Sequence, residues 1–162
     1  MTAKLELSLL GTVAITLNGE QVSGQVPAKS QALLCYLAVT GRRHSRDKLA
    51  GLLWGDTPED RAKASLRKAL SSLRPLSETA LIITHQTVAF NHDSDYWLDV
   101  EAFESALAEE NADPETLQAL SEAVELYRGE FLEGFSVRQA VAFEEWVLGE
   151  RERLRQLVIE AL

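Results

Sequence analysis

Apolar positions along this chain change period several times, and each change marks a different element. Leu5 to Leu10 (LELSLL) alternates in part and stops at Gly11, and Val13 to Leu17 (VAITL) runs into Asn18-Gly19. Asn-Gly between short apolar runs is a strong tight-turn signal. With QVSG a few residues later, the pattern predicts a small antiparallel sheet of two or three short strands. Pro27 to Gly41 is apolar almost all round, through Ala32, Leu33, Leu34, Tyr36, Leu37 and Ala38. That predicts a core helix, with Pro27 in its first turn and Gly41 at its end. Lys29 and Ser30 near its start are within the reach of a phosphate, although such residues are more often only solvated. Arg42-Arg43-His44 reads as a short basic linker. Ser45 is placed to cap a second helix, SRDKLAGLLW, with Asp47 and Lys48 in its first turn and Leu49, Leu52 and Leu53 as its buried stripe.

Gly55-Asp56-Thr57-Pro58 is a turn signal, and the stretch after it organises the rest. Glu59 to Leu76 (EDRAKASLRKALSSLRPL) reads as one helix, with Ala62, Leu66, Ala69, Leu70 and Leu73 on a single face. Lys63, Arg67 and Arg74 run down one flank. Arg61, Ala64, Lys68 and Ser71 lie away from the stripe. A rod with one buried face and a small-plus-basic outer face fits a DNA major groove, which is roughly 12 Å wide. The bland alternative is a solvated surface helix. Two helices joined by a short turn, the second one basic, make a helix-turn-helix arrangement with a slightly long turn. Leu81 to Asn91 (LIITHQTVAFN) is β-branched and alternating, with a turn near His85-Gln86. Sheet, helices, recognition helix and hairpin, in that order, predict a mixed α/β winged helix-turn-helix, with Thr84, His85, Gln86 and Thr87 at the wing tip.

The second half reads as helical throughout. Val100 to Glu109 carries Phe103, Ala106 and Leu107 at helical spacing, and Asn111 to Pro114 is a loop signal. Pro114 to Tyr127 carries Leu117, Leu120, Ala123, Val124 and Tyr127. From about Arg138 a long pattern holds Phe143, Trp146, Val147, Leu154, Leu157, Val158 and Leu162. Paired helices of this size are the unit of helical repeat modules. Leu157, Val158, Ala161 and Leu162 form an apolar face without a cap, which carries the expectation that further helices follow in a longer protein.

Charge changes the picture more than composition does. The 162 residues carry a net charge of −9, which by itself argues against nucleic acid. From Arg42 to Arg74, however, nine Lys/Arg face four Asp/Glu, a net of +5. From Pro75 onward, five Arg face nineteen Asp/Glu, a net of −14; the two charges of each sign before Arg42 cancel. A basic middle and an acidic end suggest two units with different partners. Cys35, the lone cysteine, has no internal disulfide partner and sits in an apolar helical run, as a core residue would. His44, His85 and His92 are isolated, with no ligand-spaced neighbours, and no phosphate loop or nucleophile elbow is present. Catalysis, cofactor and metal are therefore not expected. No apolar run approaches the roughly 18 residues of a membrane span, and the N-terminus lacks a signal pattern, so a cytoplasmic location is expected.

LSLLG, VAITLNG, KSQALLCYLAVTG, SRDKLAGLLW and RAKASLRKALSSLRPL together resemble the DNA-binding domain of the Streptomyces antibiotic regulatory protein (SARP) family. DVEAFESAL, LYRGEFLEGF and FEEWVLGERERLRQLVIEAL are similar to the bacterial transcriptional activator domain that follows it in that family. The resemblance implies a winged helix of the response-regulator output type over residues 1–97 followed by an all-α tetratricopeptide-like domain over residues 98–162, here truncated. It also implies an activator that binds promoter direct repeats in double-stranded DNA and recruits RNA polymerase, with the helical half serving in homodimerisation or signal reading. On the residues themselves, Lys63, Arg67 and Lys68 are the first candidates for DNA contact, with Ser65 and Ser71 secondary. Lys63, Arg74, Arg42, Arg43, Arg46 and Lys48 suit phosphates, which position a domain without reading sequence. Thr84 and His85 at the wing tip suit sugar-phosphate or the minor groove. The rival expectation is a protein-interaction module whose winged helix is a scaffold without a strong grip on DNA.

Overall fold

The computed structural model describes residues 4–108 and 114–161. Strand β1 (Leu5–Ser8) pairs antiparallel with β2 (Ala14–Leu17), which pairs with β3 (Glu20–Gln21). Asn18 and Gly19 both adopt positive φ, 54° and 85°, as a two-residue turn between right-twisted strands demands. The expected small antiparallel sheet is present with three strands, and a fourth strand extends it. Strand β7 (Tyr96–Leu98) lies parallel to β1 on its other edge, giving the order β3-β2-β1-β7. The sequence reading missed β7, because three residues are too few to show a period.

Helix α1 (Ala28–Thr40) is buried at Ser30 and along Ala32 to Ala38, so the all-round apolar stretch is the central rod of the core. Arg42-Arg43-His44 is not simply a linker. His44 and Ser45 form a short strand, β4, that pairs with β6 (Thr87–Phe90), which pairs in turn with β5 (Leu81–Ile83). His44 is buried, bonded to Thr40 Oγ1 at 2.8 Å and packed on the Tyr36 ring at 4.8 Å. Helices α2 (Arg46–Trp54) and α3 (Glu59–Ser72) follow.

The helix expected to run from Glu59 to Leu76 stops at Ser72. Leu73 caps it, its N–H shared between the carbonyls of Ala69 (3.2 Å) and Leu70 (3.1 Å), and a separate helix, α4 (Arg74–Ala80), begins. Pro75 is the cause, since its ring would meet the carbonyl four residues back and it has no N–H to donate. Leu73 remains fully buried, so the stripe is right and only the rod is shorter.

Helices α5 (Asp99–Leu107), α6 (Pro114–Leu126) and α7 (Val141–Ala161) make up the second half. Phe103, Ala123, Phe143, Val147, Leu154 and Val158 are buried as their spacing predicts, but Leu117 is 56% exposed. The loop read at Asn111–Asp113, Glu109 and the terminal Leu162 lie outside the described residues. The hydrophobic core is continuous across the charge boundary. Helix α7 packs on α2, and Trp146 of α7 stands 4.8 Å from Tyr36 of α1 and 5.5 Å from Phe131. Backbone bonds join the segments too: Leu132 N–H donates to Leu9 O (2.8 Å) and Gly11 N–H to Glu130 O (3.1 Å). A Cβ on Gly129 would stand 3.1 Å from Gly11 Cα, so the two chains cross where neither has a side chain. Asp99, at the start of α5, accepts from Leu9 N–H at 2.9 Å and Leu10 N–H at 2.8 Å, with Arg128 at 3.9 Å. The acidic half is therefore fixed to the first sheet rather than tethered to it.

Candidate nucleic-acid interface

The site is built on α3. Ala62, Leu66, Ala69 and Leu70 face inward and pack against α2, while Ser30 Oγ of α1 donates to the Ala69 carbonyl at 3.2 Å. Ser45 Oγ accepts from Lys48 N–H at 3.1 Å and caps α2 as expected. With one face so committed, Asp60, Arg61, Ala64, Arg67, Lys68 and Ser71 are left exposed on the other. Arg61 belongs to this outer face but is absent from the contacts expected from sequence. Its place opposite the stripe was the signal that could have found it.

The hairpin stands along one flank of α3. Arg46 holds it there: its backbone N–H donates to Gln86 O and its Nε to Thr84 O, each at 2.9 Å. Thr84 Oγ1 accepts from Gln86 N–H (3.2 Å) and Thr87 N–H (2.9 Å), which closes the tip and leaves His85 exposed. Between tip and helix lies a cleft of about 510 Å³ with Arg46, Lys63, Arg67 and His85 in its walls. A smaller one, about 170 Å³, is walled by Arg46, Arg67, Ser71 and Arg74. Arg74 thus reaches the same flank although it belongs to α4.

The expected residues fall into groups. Arg46, Arg67, Ser71, Arg74, Thr84 and His85 are brought together along the hairpin flank. Lys63 shares that flank but is paired, with Glu59 at 3.2 Å and Asp47 at 3.6 Å. The hydrogen bond to Glu59 and the charge of Asp47 raise its pKa, so its charge is already matched within the protein. Ser65 and Lys68 look the other way, into a second cleft against the start of α1 and residues 136–138. Arg42 and Arg43 are exposed beside Gly41, which lies against His92, and they wall none of these clefts; nor does Lys48. Strand pairing explains their separation. Ser45 registers with Thr87 near the tip, so Arg43 and Arg42 run back toward the hairpin's base.

Arg67 and Lys68 are both exposed, and neither is covered by the acidic half. Among the described residues neither has a carboxylate within 4 Å. The outer side of α3 therefore presents uncompensated positive charge beside a rigid hairpin, an arrangement suited to a polyanion.

Residues 98–162 match the family described as Bacterial transcriptional activator domain. The fold is also similar to that of EmbR from Mycobacterium tuberculosis, solved in complex with a low affinity phosphopeptide, with a TM-score of 0.73 and 22% identity over 98% of this chain. The chain spans 44% of the length of EmbR, and at that identity the likeness is one of fold. None of the curated proteins compared matches this chain. No described helix is long and apolar enough to cross a membrane.

Proposed function

We propose that this chain is a sequence-specific DNA-binding transcriptional regulator, an activator, in which residues 1–97 act as a winged helix and residues 98–162 as a tetratricopeptide-like module. In this reading α3 enters the major groove. Arg67 reaches base edges, Lys68 contacts the duplex from the other side of the helix, Ser65 and Ser71 assist, and Arg46 and Arg74 hold phosphates. The tip at Thr84 and His85 touches the sugar-phosphate strand alongside. The observation that carries it is Arg67 and Lys68, exposed and without a carboxylate within 4 Å among the described residues, on the outer side of a helix clamped from within by Leu66 and Leu70. A bidentate arginine on guanine is worth roughly 1–3 kcal/mol of discrimination. Promoter direct repeats, recruitment of RNA polymerase, a homodimer through the helical half and a cytoplasmic setting complete the proposal by analogy with the SARP type. They give a reason for a net charge of −14 outside the basic region, since a surface that meets protein need not avoid carboxylates.

Titration against duplex DNA at two salt concentrations tests the reading. Each neutralised phosphate steepens the loss of affinity with salt, so a steep fall is expected. Binding that ignores salt, or no binding to any duplex, would favour a protein-interaction module built on the acidic half instead. Footprinting across the neighbouring genomic region would then define the site and the repeat spacing.

A further inference from the structure

The cleft on the far side of α3 was not foreseen from sequence. It measures about 510 Å³ and lies between the start of α1, the outer edge of α3 and residues 136–138 of the acidic half. Its cations are Lys29, Lys68 and Arg138, and among the described residues no Asp or Glu lines it. In a chain carrying 25 acidic residues that exclusion is informative.

Arg138 is distinctive within its own half. Of the five arginines after Pro75, four are spent inside the protein. Arg128 lies 3.9 Å from Asp99, Arg151 3.9 Å from Glu130, Arg153 2.7 Å from both Glu104 and Glu150, and Arg155 3.4 Å from Glu152. Arg138 is exposed and, among the described residues, has no carboxylate within 4 Å. Its loop is held: Val137 is buried and its N–H donates to Glu144 Oε1 at 2.7 Å, and Ala140 is buried on the other side. Lys29 is steadied by the Trp54 ring, 5.2 Å below its ammonium. Two elements of the basic half and one loop of the acidic half thus hold three cations around one opening.

We propose that Arg138, Lys29 and Lys68 form a second phosphate-binding edge for duplex DNA, so that the acidic half contributes directly to the grip. The proposal rests on α3 lying in the major groove, as argued above. A helix in the groove has a phosphate strand on each side. The hairpin flank serves one strand through Arg46 and Arg74, and this cleft, sharing Ser65, Lys68 and Ser72 with α3, faces the other.

The test is fluorescence anisotropy of the full chain with a mixed-sequence duplex across a series of salt concentrations. It compares the parent chain with Arg67→Ala, Arg138→Ala and Arg155→Ala. Loss of one phosphate contact lowers the slope of log K against log salt by about 0.9. Arg138→Ala should show that reduction and weaken binding to all duplexes alike. Arg155→Ala, an equal change in net charge on a paired surface arginine, should leave the slope in place. An unchanged slope in Arg138→Ala, or one that moves only as far as in Arg155→Ala, overturns this edge. If Arg67→Ala still weakens binding in that case, the groove-reading helix stands without it. Absence of binding by the parent chain removes both.

Discussion

Asp99 and His44 titrate with opposite consequences for stability. Burial pushes the Asp99 carboxyl above its ordinary range, and the N–H donors of Leu10, Leu9 and Val100, with the Arg128 charge, only partly offset this. A carboxyl that holds its proton more tightly when folded makes stability fall as pH rises from the ordinary carboxylate range through its folded value. His44 is pushed down, by burial first and then by the charges of Lys48 and Arg42. Its contribution is present above the ordinary imidazole range and is lost as pH falls through the lowered value. Urea denaturation of Asp99→Asn at a series of pH values should lack the loss of stability that the parent chain shows as pH rises out of the ordinary carboxylate range. A pH-independent difference between the two would contradict the assignment. Cys35 offers a simpler reading. It is fully buried and its thiol is pushed up to about 12 by burial. Since only the thiolate attacks, alkylation followed by mass spectrometry should be negligible in the native chain and rapid in urea.

At the scale of the element, α3 separates two kinds of side chain, and substitution should do the same. Leu66 is 1% exposed, and Leu66→Ala should destabilise the fold by about 2–5 kcal/mol, read as a lower urea midpoint. Arg67→Ala should leave the melting curve in place while reducing affinity for a footprinted site about tenfold or more. A variant at Arg67 that unfolds, or one at Leu66 that alters only DNA binding, would reverse the assignment of the two faces. The hairpin depends on Arg46 in a different way. Arg46→Ala removes the Nε bond to Thr84 O but leaves its backbone bond to Gln86 O. Faster amide exchange at residues 84–87 with little change in global stability is the expected result.

At the scale of the whole molecule, the charge boundary near Pro75 is a boundary of the surface and not of the core. Phe131 is fully buried between Leu10, with which it makes an isolated bridge, and Trp146 of α7. Because one core serves both halves, heat should unfold the chain in a single transition. Phe131→Ala should lower stability by about 3–5 kcal/mol, seen equally by amide exchange in α1 and in α7. Loss of protection confined to α5–α7 would show instead that the second half is a separable unit.

The helices α1, α2 and α3, the Asn18-Gly19 turn and the hairpin tip were legible in the residues, because each is a local choice. Period, caps and turn chemistry act over a few positions, and the buried stripe of α3 follows from spacing alone. The end of α3 was misread because Pro75 acts on a carbonyl one turn back, which the apolar stripe does not register. What only the tertiary structure decided is which cations share a surface. Lys63 was brought against Asp47 of α2, Arg42 and Arg43 were carried to the hairpin's base by strand register, and Arg138 was brought beside Lys68 from seventy residues away. Charge has no period along a chain, so its grouping in space awaits the folding of the apolar core beneath it.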